Sequence, residues 1–357
     1  MNSAFRNRDL RVWSIKAALA MAVVLAGCSV PYASRPGLTV LEDVHVRSLQ
    51  AVKNGVWFVN ATGTNAALTV GFISNDGRVQ KTFFTLRDLS LLPSEPPGAG
   101  ITIQPLSKNT ACITLSATYP EPHEVAIATV HLDGRRPSLA VEKGVEEIGT
   151  ITLVRGRVFA GESKPALMEL RAGKIVDHWL PKSTEAPKST LIAVTDHRGR
   201  VVVGDGSSGR VGVFSVRGGR GGTWTFTHLA GVSNFSDLAL ADDGSAWALS
   251  EGGRLLTKTD IGASSHRTFD LSPNAGQGIT LLPGGVACTG SSNGEQVVTC
   301  ISSLGEVSRT KVALAYPPTL VTSNRDLLWY AQTNLRAPPW SFGNPDWGSA
   351  VGQIALH

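Results

Sequence analysis

The feature that most restricts the fold of this chain is a repeat. Three segments place a glycine or acidic turn just before a tryptophan: Asn54-Gly55-Val56-Trp57, Asp243-Gly244-Ser245-Ala246-Trp247 and Arg325-Asp326-Leu327-Leu328-Trp329. Four more have the same shape without tryptophan: Lys108 to Cys112, Arg155 to Phe159, Arg198 to Val202 and Gly284 to Cys288. The aligned positions are 57, 112, 159, 202, 247, 288 and 329, separated by 55, 47, 43, 45, 41 and 41 residues. A period of about 20–50 residues marks an array of small units, each unable to bury its apolar face alone.

Within each unit a strand leads through the first turn to a second strand. A further strand, a second turn and a closing strand follow. The second turns include Asn75-Asp76-Gly77, Asp133-Gly134, Ala172-Gly173, Ile261-Gly262 and Leu304-Gly305. Glycine accepts positive φ at little cost, so these dipeptides suit tight hairpins. Four short strands in about 40–45 residues make a propeller blade. The predicted fold is therefore all-β, a β-propeller of seven four-stranded blades over residues 38–357. Seven units fill 45–357, and residues 38–44 are expected to supply the outer strand of the last blade, which leaves fewer unpaired edges. A β-sandwich and a six-bladed ring with one irregular unit are the competing architectures.

The first 27 residues have another purpose. Arg6, Arg8, Arg11 and Lys16 precede an apolar run from Ala17 to Gly27. That run is shorter than the ~20 residues needed to span a bilayer and has the length of a signal-peptide core. It ends Leu25-Ala26-Gly27-Cys28, which resembles the bacterial lipobox. The resemblance implies cleavage before Cys28, a thioether lipid on its sulfur and an acyl chain such as palmitate on its new amino group. Several acyl chains make anchoring stable. The domain reading is then 1–27 signal peptide, 28–37 lipidated tether and 38–357 propeller. The location it implies is extracytoplasmic, on the cell membrane or, as Ser29 favours in a Gram-negative envelope, the outer membrane.

Removing residues 1–27 takes away four bases and one acid, so the formal charge falls from +5 to +2. That balance calls for no nucleic-acid partner. The expected partners are the membrane, through the lipid, and an envelope protein or small polar ligand. Export permits disulfides. Cys288 and Cys300 flank the turn-rich Gly290-Ser-Ser-Asn-Gly294, and a disulfide between them is expected, with two buried thiols as the alternative. Cys112 is expected in the core.

Two literal motifs lack the context that their chemistry needs. Gly204-Asp-Gly206-Ser-Ser-Gly209 fits a dinucleotide fingerprint, but a strand follows it where a helix would be required. Gly290-Ser-Ser292-Asn-Gly294 fits a nucleophile elbow, yet lies between two strands. Both read as hairpin turns. So does Arg217-Gly-Gly-Arg220-Gly-Gly222, between outer strands. The eight histidines are scattered without metal-ligand spacing.

The stretch Phe235 to Gly244 resembles the first strand and turn of an NHL-type blade, and Val203 to Phe214 its middle hairpin. At a coarser level the chain is similar to virginiamycin B lyase-like and gluconolactonase-like propellers. The resemblance covers blades four to six best. It implies a site near the central channel, where segments entering the innermost strands converge. The candidates there are Glu147, Asn234, Asp237, Asn274 and Gln277, with His45 and Arg47 entering blade one. Such groups can hydrogen-bond a polar ligand or hold Ca²⁺ or Mg²⁺, and the alternative is that they cap strands and line a wet channel. Neither the Glu/Asn/Asp metal set of the lactonases nor the histidine and metal of the lyases is matched in full. The leading reading is thus a binding or scaffold module with no required cofactor. A metal-dependent lyase or lactonase is the alternative. The insertion Arg336 to Trp347 presents Trp340, Phe342 and Trp347, which either plug one face of the ring or form a contact surface.

Overall fold

In a computed structural model the chain forms seven four-stranded antiparallel sheets. The structure describes residues 38–355, apart from 43–45, 63–66, 86–98, 118–123, 144, 146–147, 172–173, 191, 197, 218–220, 273–274, 293–294, 313–319, 325–326 and 337–345. No helix occurs among the described residues.

Strand β1 (Leu38–Glu42) comes first. Blade 1 is β2 (Val46–Val52), β3 (Gly55–Thr62), β4 (Ala67–Ser74) and β5 (Val79–Thr85). Blade 2 is β6 (Ala99–Pro105), β7 (Thr110–Ala117), β8 (Glu124–His131) and β9 (Ser138–Lys143). Blade 3 is β10 (Ile148–Val154), β11 (Arg157–Glu162), β12 (Leu167–Arg171) and β13 (Lys174–Trp179). Blade 4 is β14 (Ile192–Thr195), β15 (Arg200–Gly204), β16 (Arg210–Val216) and β17 (Gly222–His228). Blade 5 is β18 (Asp237–Leu240), β19 (Ser245–Leu249), β20 (Leu255–Asp260) and β21 (His266–Asp270). Blade 6 is β22 (Ala275–Leu282), β23 (Gly285–Ser292), β24 (Glu295–Ser302) and β25 (Val307–Val312). Blade 7 joins β26 (Leu320–Asn324), β27 (Leu327–Arg336) and β28 (Asp346–Ala355) to β1, in the order β1-β28-β27-β26.

The predicted closure is therefore present. Leu38 to Glu42 pairs antiparallel with Gly352 to Gly348, so the two ends of the ring share one sheet. Just beyond that strand, the Val46 N–H donates to Ser349 Oγ at 3.0 Å and ties blade 1 to blade 7.

The cores lie between blades. Trp329 packs with Val46, Leu49 and Phe58 of blade 1, and Trp57 with Ile101, Ile113 and Ala128 of blade 2. Phe159 meets Val201, Val203 and Phe214 of blade 4. Each of these aromatics is fully buried, and burying one such side chain contributes about 1.5–3 kcal/mol. One blade thus supplies only half of a core, which is why the repeat needs its neighbours.

The repeat alignment needs one correction. In six blades the signature residue faces a consistent first-strand partner, such as Gln50 for Trp57, Thr152 for Phe159 or Thr322 for Trp329. In blade 6 the equivalent pair is Thr280 with Ala287, and Cys288 lies one position on. Side chains alternate faces along a strand, so Cys288 packs backward against Trp247 and Leu249 of blade 5. Ala287 faces Leu328 of blade 7, with Cys300 beside it.

The same register removes the expected disulfide. Cys288 is opposite Thr299, and Cys300 is opposite Ala287. The two thiols point to opposite faces of the sheet and are free, as is Cys112. The alternative of unlinked thiols therefore describes Cys288, which is buried, and Cys300, which is half-buried. Cys112 is in the core as expected.

The glycine motif in blade 4 is a turn between β15 and β16. Its glycines allow the 229–235 connection to lie directly on it. The Leu229 N–H donates to Gly209 O at 2.7 Å and the Phe235 N–H to Gly206 O at 2.9 Å. A Cβ on Gly209 would come 1.9 Å from the Val232 carbonyl oxygen. Close backbone approach, not phosphate binding, accounts for this spacing.

Candidate functional site: the central channel

The seven innermost strands surround a channel of about 1020 Å³. Its wall is made of Leu49 and Gln50, Gln104, Thr150 to Leu153, Ala193 to Thr195, Leu238 to Leu240, Ile279 to Leu282, and Thr322 with Ser323. Hydroxyls, amides and aliphatic groups alternate there. Among the described lining residues the one ionisable side chain is Asp242, at the end beside the first turns.

Much of this polarity joins blades to each other. Thr150 Oγ1 donates to Ala193 O at 2.9 Å and accepts from Ala193 N–H at 2.6 Å. Thr152 Oγ1 meets Thr195 Oγ1 at 3.1 Å. Thr322 Oγ1 accepts from Ala51 N–H at 3.1 Å, across the closure. The Ser323 hydroxyl donates to the Leu281 carbonyl. Each link spans neighbouring first strands, so innermost strands that share no ladder are still hydrogen-bonded.

Asp237 belongs to this set. Its Oδ2 accepts from Ile279 N–H and its Oδ1 from Leu238 N–H, both at 2.8 Å. The register of β22 against β23 shifts between Gly276 and Ile279. Such a bulge frees a backbone N–H from the ladder, and the carboxylate of the preceding blade accepts it. Enclosure by blade 6 pushes the Asp237 carboxyl above its ordinary value, against the pull of these two N–H groups.

Of the other candidates, the structure describes the side-chain contact of Asn234, and that contact is elsewhere. Asn234 lies in the link before β18, where its Nδ2 donates to Glu251 Oε2 at 3.1 Å, within blade 5. Gln277 has its backbone in the β22 bulge. Glu147, Asn274 and His45 lie outside the described residues, as do Cys28, Trp340 and Phe342. Trp347 falls within β28, and Arg47 is exposed on β2. Among the described residues no three His, Cys, Asp or Glu side chains are placed to share a metal ion. The described wall does not form the oxygen-rich cage that Ca²⁺ or Mg²⁺ takes.

A buried ion pair went unforeseen. Arg157 holds Glu169 in a bidentate arrangement, Nε to Oε1 at 2.9 Å and Nη2 to Oε2 at 2.5 Å. The guanidinium holds the Glu169 carboxyl below its ordinary value. Arg157 Nη1 also reaches the Arg217 carbonyl of blade 4 at 3.4 Å. In blades 5 and 7 the third-strand residue that occupies the place of Glu169 reaches the next blade itself. Lys258 Nζ reaches Ser303 O at 3.4 Å and Gln353 Nε2 reaches Asn75 O at 3.2 Å. Their shared place opposite the signature aromatic could have been found only by aligning third strands, which carry no turn motif of their own.

The ring and its channel define a seven-bladed β-propeller. No family profile and no curated protein matches the chain by sequence. Its backbone is similar to virginiamycin B lyase from Staphylococcus aureus, at a TM-score of 0.63 and 13% identity, over 89% of this chain and 99% of that one. A streptogramin B lyase structure matches at 0.61 and 12%, covering 89% and 98%. The WD40 β-propeller domain of Doa1 matches at 0.58 and 16%, covering 90% and 98%. At such identities the likeness is one of fold, shared by enzymes and by WD40 propellers alike.

Proposed function

We propose that this chain is a lipid-anchored, extracytoplasmic β-propeller that acts as a binding or scaffold module in the cell envelope. The observation that carries the module reading is the commitment to structure of polar groups on the first strands, in the channel wall and beside it. Asp237 accepts two backbone N–H groups, and the hydroxyls of Thr150, Thr322 and Ser323 join neighbouring blades. A catalytic acid or metal ligand needs free lone pairs where the ligand sits. The anchor rests on the lipobox at Leu25 to Cys28. On this reading the module needs no cofactor, and its partner is an envelope protein or small polar ligand.

Two measurements test it. A fatty-acid probe fed to producing cells should label the chain, and Cys28→Ser should abolish the label. Undiminished labelling of that variant would remove the anchor. Metal analysis of the purified chain should find no stoichiometric divalent ion, and added Ca²⁺ or Mg²⁺ should leave its melting temperature unchanged. A stoichiometric ion would overturn the module reading in favour of a metal-dependent lyase or lactonase.

A further inference from the structure

Strands alternate direction within a blade, so the first and third turns of every blade lie on one face of the ring. The chain enters the ring at this turn face. Leu38 opens β1 opposite Gly352, toward the end of β28 that reaches the turn face. It does so on the outer strand of blade 7, and Gln353 of that blade bonds to the Asn75 carbonyl in the third turn of blade 1. Ten residues, 28–37, separate Cys28 from this entry point. Fully extended they reach about 33–36 Å.

The turn face is electrically lopsided. In blades 1 to 4 its described turn residues, 53–54, 75–78, 106–109, 132–137, 155–156, 196, 198–199, 217 and 221, carry eight Lys or Arg and three Asp. Each of those acids is held by an arginine nearby: Asp76 by Arg78 at 3.0 Å, Asp133 by Arg135 at 2.5 Å and Asp196 by Arg200 at 2.5 Å. Lys108 and Arg136 are exposed and have no acidic partner among the described residues.

Apolar surface adjoins these bases. The edge strand β5 exposes Val79 and Phe83, the latter at 62%, with Lys81 Nζ 5.2 Å from the Phe83 ring centre. Between β5 and the third turn of blade 2 runs a groove of about 380 Å³, lined by Phe83, His131, Arg135 and Arg136. Exposed aromatic and aliphatic groups beside lysine and arginine suit an interface of anionic headgroups over acyl chains.

We infer that the turn face of blades 1 and 2 docks on an anionic lipid surface, with Phe83 at the headgroup level and Lys108 and Arg136 against the lipid phosphates. The orientation rests on the anchor reading above, because a tether from Cys28 holds this face toward the bilayer. The charge and the apolar edge are independent of it.

The test uses the full chain with Cys28→Ser, so that no lipid contributes, in flotation with vesicles of phosphatidylglycerol and phosphatidylcholine or of phosphatidylcholine alone. The apolar segment before residue 28 is common to every variant, so differences among variants report the folded surface. Lys108→Glu with Arg136→Glu should weaken binding to the anionic vesicles by about tenfold or more, since each base at such a surface is worth about fivefold. Phe83→Ser should weaken it further. Lys182→Glu with Lys188→Glu, exposed residues before β14 on the opposite face, should leave binding unchanged. Equal binding by the turn-face variant, or equal weakening by the opposite-face variant, overturns the docking surface. Loss of probe labelling at Cys28 is read separately, so failure of the anchor and failure of the docking face are distinguishable.

Discussion

The carboxylate of Asp237 accepts the backbone N–H of Ile279 at 2.8 Å, joining the first strand of blade 5 to that of blade 6. An acid that suggested a channel ligand is a clamp between blades. Asp237→Ala leaves that N–H without its acceptor, which costs about 1–3 kcal/mol. Thermal or denaturant unfolding should show the loss. The pH dependence is specific. Enclosure raises the folded-state value above the ordinary 3.8. Protonated Asp237 therefore contributes stability that is complete below 3.8 and lost as pH rises through the raised value. Stability measured for Asp237→Asn should gain on the native chain as pH rises from below 3.8 through the raised value. A constant difference across that range would contradict the assignment.

Glu169 should respond in the opposite direction. Arg157 lowers its folded value below the ordinary 4.5, so its contribution is present above 4.5 and lost as pH falls through the lowered value. The two side chains are only 13% and 5% exposed. Removing one partner from such a pair costs about 3–5 kcal/mol, because the other charge stays buried. Glu169→Ala should show a loss of that order at neutral pH, and a smaller one in acid. Replacing both by apolar residues should be milder than either single change.

The thiols offer a direct check of register. Burial pushes Cys112 and Cys288 up to about 12, and Cys300 upward as well. The thiolate is the reactive form. In the folded chain a maleimide should modify half-buried Cys300 first, and Cys112 and Cys288 only on unfolding. A peptide map without reductant should contain no Cys288–Cys300 crosslink. Finding that crosslink would mean that β23 and β24 pair in another register.

Thr150 and Thr280 line the same channel with different duties. Thr150 makes two hydrogen bonds to Ala193, whereas Thr280 makes no such link among the described residues. Thr150→Val should cost about 1–3 kcal/mol through the unpaired backbone groups. Thr280→Val should stay within about 0.5 kcal/mol. Chemical denaturation of the two variants distinguishes a stitched channel from a merely wet one.

The sequence by itself determined the number of blades, the place of turns such as Asn75 to Gly77 and Asp133 to Gly134, and the strand that closes the ring. Those properties follow from local chemistry: glycine at positive φ in turns such as Gly77, Gly134, Gly262 and Gly305, and an apolar residue soon after each first turn. The closing role of Leu38 to Glu42 was legible because a seventh blade would otherwise lack a strand. What only the tertiary structure decided was direction, meaning which blade a side chain faces and what it meets there. Cys288 and Cys300 are close in sequence and sit on adjacent strands, yet a one-residue offset sends them to different blades. Asp237 and Ile279 are 42 residues apart, and Arg157 and Glu169 meet across a hairpin. Side-chain direction in a sheet has a period of two, so one residue of register reverses it. A repeat of roughly forty residues, uneven by several, cannot fix that register, and the packing of blade against blade does.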